Sequence, residues 1–163
     1  MESRVKLLGH PVHPMLVVFP LGLFIAAVIF DGIYLWRGSA MFASVAYWNI
    51  AAGIIGGLAA ALFGLIDWLA IPSGTRAKRI GLLHGGSNVV VVLIFAAVWW
   101  IRADAPDLIP TTKVFLLEVA ALAIGSVAGW LGGELVDRLA VGVDDGAHLD
   151  APSSLSSRPA RLR

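Results

Sequence analysis

A chain of 163 residues that is 58% hydrophobic and only 14% charged has too few charges to cover a water-soluble domain of its size. Its mean hydropathy of +0.84 makes the bilayer the natural solvent. Without cysteine it supplies no disulfide, thiolate site or iron–sulfur cluster, and a formal charge of +1 gives no bulk basicity for nucleic acid.

The N-terminal segment has no signal-peptide pattern, because the apolar run from Met15 follows "GHPVHP" (Gly9–Pro14), lacks a small-residue cleavage site and is long enough to span. A residue before proline is pushed out of the α region, so His10 belongs to an extended approach. Proline favours the first helical position, which predicts His13 as the N-cap of the first span with Pro14 as N1 and a kink at Pro20.

Four apolar runs follow: Met15–Trp36 with the single charge Asp31, Ser39–Ile66 and Ile80–Ile101 with none, and Val114–Val136 with Glu118 and Glu134 near its ends. Roughly 20 residues suffice to cross the hydrocarbon. Unsatisfied backbone groups are too costly there, and four short runs cannot close a barrel, so the runs are helices. The expected fold is an all-α integral membrane four-helix bundle over residues 1–142, with spans at about 14–36, 40–70, 78–101 and 112–138.

The connections are a tight turn at Arg37–Gly38, the turn "IPSGTRAKR" (Ile71–Arg79) with a basic cluster, and the loop "RADAPDLIPTTK" (Arg102–Lys113), where Thr111 or Thr112 caps the last span. From 143 to 163 the chain turns to Asp, Ser, Pro, Ala and Arg and reads as a disordered cytoplasmic tail, with His148 solvated. "LFIAAV" (Leu23–Val28) matches "LIFAAV" (Leu93–Val98), and "IDWLA" (Ile66–Ala70) matches "VDRLA" (Val136–Ala140), both at an offset of 70. Two duplicated hairpins related about the membrane normal fit that pattern, with Asp67 and Asp137 equivalent.

Arg4, Lys6, Arg76, Lys78, Arg79, Arg138, Arg158, Arg161 and Arg163 fall on one side and Arg37, Arg102 and Lys113 on the other. That bias predicts both termini in the cytoplasm of a bacterium, in its inner membrane. Trp36, Trp48, Trp99 and Trp100 form one interfacial belt and Trp68 and Trp130 the other. Asp31 and Glu118 are expected to snorkel to water, and no acid is placed at the midplane for a proton or ion path.

Alternation of the spans collects His10, His13, His84, Asp67, Asn88, Glu134 and Asp137 at the cytoplasmic end. Three chemistries fit that set. His13 and His84 are a pair of axial ligands for b-type haem, with His10 as the alternative to His13, and Asp67, Asn88 and Glu134 orient the imidazoles. Alternatively His10, His13 and His84 hold Zn, Fe or Cu with a carboxylate. Without a cofactor, Arg76, Lys78 and Arg79 beside two helix N-termini receive an anionic lipid head group or substrate. Small residues in the second and fourth spans provide tight packing or room for a planar cofactor. No P-loop, GxSxG or HExxH motif is present, which points away from an enzyme.

The combination of "GHPVHPMLVVFPLGLFIAAVIFD" (Gly9–Asp31), "GLIDW" (Gly64–Trp68), His84 with Asn88, and "GGELVDRLAVGVD" (Gly132–Asp144) resembles the bacterial membrane family catalogued as domain of unknown function 2231, over roughly residues 8–145. The resemblance implies a four-helix membrane domain. Members joined to Rieske or cytochrome c modules imply an electron-transfer role with a redox partner protein. Self-association into a homo-oligomer is left open.

Overall fold

The computed structural model describes residues 1–156. It consists of α1 (Val12–Arg37), α2 (Ala40–Ala70), α3 (Arg76–Ala103) and α4 (Thr112–Gly133), the last continued by a π-helical turn, Glu134–Arg138. Each helix is long and apolar enough to cross a membrane. Even the 22 residues of α4 rise about 33 Å, against about 30 Å of hydrocarbon. The all-α four-span architecture is as expected from the apolar runs. The tail arginines Arg158, Arg161 and Arg163 lie outside the described residues.

Helix ends follow local chemistry. Thr75 accepts the Lys78 backbone N–H at 3.1 Å, so α3 starts at Arg76 and the basic cluster occupies its first turn instead of a loop. Thr111 caps α4 by accepting from Val114 at 3.3 Å. Gly38, at φ +74, closes α1 through its N–H to Tyr34 O. His13 is not the N-cap. The helix begins a residue before it, because Lys6–Leu7 and His10–Pro11 pair as a short antiparallel hairpin, β1 and β2, that delivers the chain at Pro11. The two turn residues Leu8 and Gly9 both have positive φ, the hand that matches strand twist. Pro20 sits inside an unbroken α1 and packs at the Gly56 backbone.

Around the bundle α1 lies along α2, α2 along α3, α3 along α4 and α4 along α1. The diagonal partners α1 and α3 run parallel and meet through side chains. His13 faces His84, Phe24 stacks on Phe95 with parallel planes and ring centres 4.0 Å apart, and Asp31 binds Arg102. Each pair is separated by 71 residues. A Cβ on Gly53 would stand 2.6 Å from Phe24 Cε1, so this small residue in α2 makes room for the ring and serves packing. Leu58, Leu62, Leu65 and Leu69 of α2 are exposed on the outer, lipid-facing surface.

The segment after α4 is stitched to the first residues. Met1 donates to Ala140 O at 2.8 Å, Gly142 N–H to Met1 O at 2.9 Å, and Lys6 bridges Glu2 and Asp144. The bond to Asp144, then that to Glu2, holds the Lys6 ammonium above its ordinary value of 10.5, while the bond from Lys6 keeps the Glu2 carboxyl below 4.5.

Phe95→Ala leaves a void whose cavity term alone, some 24 cal/mol per Å3 over roughly 90 Å3, costs about 2 kcal/mol. Arg102→Leu, which strands two buried acids, costs about 3–5 kcal/mol; unfolding midpoints in bicelles rank the two. The Lys6 bridge holds between the two limits set by its partners. Its contribution is lost as pH falls through the depressed Glu2 value and again as pH rises through the raised Lys6 value. Hydrogen exchange at the Asp145 N–H, which donates to Glu2 Oε1, reads the acid limb.

Candidate functional site

At the end of the bundle that holds the β-hairpin, two imidazoles are set in matching surroundings. His13 Nδ1 lies 2.8 Å from Ala60 O in α2, and His84 Nδ1 lies 2.8 Å from Ala128 O in α4. A carbonyl only accepts, so each Nδ1 carries the proton and donates it, leaving each Nε2 with its lone pair when neutral. The ring centres are 6.3 Å apart with planes at 87°. One turn beyond each acceptor is a glycine that the ring fills. A Cβ on Gly64 would stand 2.7 Å from His13 Cε1, and one on Gly132 would stand 3.1 Å from His84 Cε1. These two hollows hold the imidazole rings.

The other sequence-derived candidates divide. Asn88, one turn from His84, donates to His84 O at 2.9 Å and lies 3.4 Å from His84 Nε2, so it does border the ring. Asp67 is used elsewhere, accepting Ser3 Oγ at 2.7 and 2.9 Å and the Arg4 N–H at 2.7 Å. Glu134 pairs with Arg76. Lys78 donates to Trp68 O, lies 4.0 Å over the Trp68 ring, and receives the indole N–H at its own carbonyl. Arg79 alone of the basic trio is exposed with no ion pair among the described residues. His10 is exposed on β2, 3.3 Å from Ser154 Oγ. Among the described residues no three His, Cys, Asp or Glu side chains are grouped to hold a metal ion. His148 accepts from the Asp150 N–H within the tail.

The opposite end departs from the expected snorkelling. Asp31 and Glu118 are 0% exposed and Arg102, expected in a loop, is the buried last turn of α3 at 1%. Ion pairing across the bundle replaces water as the solvent of these charges. Asp31 takes Arg102 in a two-pronged contact at 2.6 and 3.0 Å, and Glu118 takes one contact at 3.2 Å. Trp99, expected in an interfacial belt, stacks on Tyr47 with its Nε1 buried, and Tyr47 faces the guanidinium at 5.9 Å. Trp36, Trp48, Trp100 and Trp130 are exposed, as belts require. The missed cluster had a signal in the sequence: three charges within apolar runs or at their edges, two of one sign and one of the other.

The model of the family described as predicted membrane protein DUF2231 matches residues 9–145, and the chain belongs to that family. A protein of Rhizobium meliloti (strain 1021) named glycerol-3-phosphate acyltransferase is 34% identical over 111 residues, 64% of this chain and 53% of that protein. This chain therefore spans about half the length of the curated relative it matches. No solved structure matches.

Gly64→Ala puts a methyl group where the His13 ring lies. The Nδ1–Ala60 bond breaks, and imidazole nitrogen-15 NMR shows loss of the single Nδ1–H form at His13, with His84 less affected. Gly132→Ala, with the longer approach, gives the reverse pattern in a weaker form.

Proposed function

We propose that this DUF2231 chain is a small membrane redox component whose His13 and His84 ligate one metal centre, b-type haem iron being the group tested first. The observation that supports the reading is the matched pair of Nδ1 donors to Ala60 O and Ala128 O. Ligating histidines commonly spend their second nitrogen on a carbonyl, which fixes the tautomer and makes Nε2 the ligand. A metal sits about 2 Å from an imidazole nitrogen, so two rings sharing one ion stand about 6 Å apart, close to the separation seen. When bound, bis-imidazole iron exchanges single electrons. The chain's part is to hold two neutral imidazoles in fixed orientation, with Asn88 beside His84 and lipid excluding water from the flanks.

A second reading is favoured by the filled hollows at Gly64 and Gly132, which suit a bare Cu, Zn or Fe ion better than a macrocycle. The relative named glycerol-3-phosphate acyltransferase suggests a third, an anionic substrate or lipid head group at the basic turn of α3. There Arg76 and Lys78 are already engaged, leaving Arg79. In the proposed topology the histidine end faces the cytoplasm of a bacterial inner membrane, as nine basic residues against three support, and electrons pass to a partner protein there.

Protein purified from haem-supplemented cells gives the decisive spectrum. The haem reading expects a reduced-minus-oxidised α-band of b type that His13→Ala and His84→Ala each abolish, while His10→Ala retains it. A colourless protein with one equivalent of Cu, Zn or Fe that both substitutions remove supports the bare ion. A colourless, metal-free protein whose thermal midpoint does not respond to added haem or metal overturns both.

A further inference from the structure

The end of the bundle away from the histidines buries two acids and one base. All five N–H groups of Arg102 are used. Nε donates to Leu108 O, Nη1 to Asp31 Oδ2 and Glu118 Oε1, and Nη2 to Asp31 Oδ1 and Ala43 O. Nothing remains on the guanidinium for the second oxygen of Glu118, and that atom, Oε2, is buried with no donor to accept from among the described residues. Among the described residues the other elements bring no charge beyond Asp31: α1 presents that carboxyl, α2 the Tyr47 ring and the Ala43 carbonyl, and the Pro106–Leu108 segment the Leu108 carbonyl.

Two ionised carboxylates against one guanidinium would leave a net negative charge in a medium without water, with one oxygen lacking any donor. Buried carboxyls avoid that state by taking a proton. Asp31 is unsuited to take it, since both its oxygens accept from Arg102. Glu118 makes one long contact through Oε1 and leaves Oε2 open.

We propose that Glu118 binds a proton on Oε2 and that the Asp31–Arg102–Glu118 cluster is a one-proton binding site at the far end of the bundle. Uptake converts the carboxylate to the acid, with the proton supplied by water at that face, and brings the cluster to zero net charge. Loss of the proton sets a second anion beside Asp31 in competition for Nη1. Because Arg102 joins all four helices, this loosening is felt across that whole end. The inference stands whether or not the histidine pair carries a metal.

The test uses the full chain reconstituted in phosphatidylcholine vesicles. Infrared spectra at neutral pH are expected to show the carbonyl stretch of a protonated carboxylic acid, shifted in heavy water and absent in Glu118→Gln. The amide copies the neutral acid, so Glu118→Gln changes the unfolding equilibrium by less than about tenfold. Asp31→Asn shifts it by more than about a hundredfold. No acid band, an acid band that survives in Glu118→Gln, or a Glu118→Gln protein that fails to fold each overturns the proposal. So does an unfolding midpoint that tracks sodium concentration in the parent and not in Glu118→Gln, which assigns the site to a monovalent cation.

Discussion

In hydrocarbon a polar group without a partner inside the protein is costly, and Arg102 is where that constraint acts hardest. Its five donors are met by a carboxylate of α1, a carbonyl of α2, the Glu118 carboxyl of α4 and the carbonyl of Leu108 in the segment between α3 and α4. One side chain therefore sets the mutual height of four helices that otherwise slide past one another on apolar and small-residue surfaces. The connecting segment serves the same contact. Asp107 and Leu108 both take positive φ, a costly conformation for residues with a side chain, in the stretch that brings the Leu108 carbonyl to Nε.

The three diagonal contacts of α1 and α3 share one spacing, and their acceptors on α2 and α4 share another. Ala60 and Ala128, like Gly64 and Gly132, are 68 residues apart, whereas His13 and His84 are 71 apart. Two hairpins with equivalent contacts about a common axis produce this pattern. The offset of 70 read from matching strings agrees with neither spacing. Hence Asp67 and Asp137 are not equivalent: one anchors Ser3 and Arg4, and the other lies in the π-helical turn that ends α4.

Along that axis like meets like at one end and unlike at the other. Two imidazoles with their N–H groups spent face each other beside the β-hairpin. Two stacked phenylalanines close the middle, and at the far end the related positions carry Asp31 and Arg102. A symmetric pair suits a shared ligand between identical donors. An opposite-charge pair suits a lock, and the added Glu118 makes that lock responsive to protons.

Composition and the length of the apolar runs determined four membrane helices, since four runs too few to close a barrel satisfy their backbone in lipid only as helices, and local capping chemistry narrowed the last N-cap to Thr111 or Thr112. The gathering of histidines at one end followed from alternation of direction alone. Only the tertiary structure decided which groups touch. It sent Asp67 and Glu134 to Ser3 and Arg76, kept Asn88 at His84, and turned Asp31, Glu118 and Arg102 inward as one cluster. Sequence records each helix's own polarity; which face of it meets a partner depends on rotation about the helix axis. Helices that are apolar nearly all round leave that rotation undetermined until small residues and buried charges on the neighbours select it.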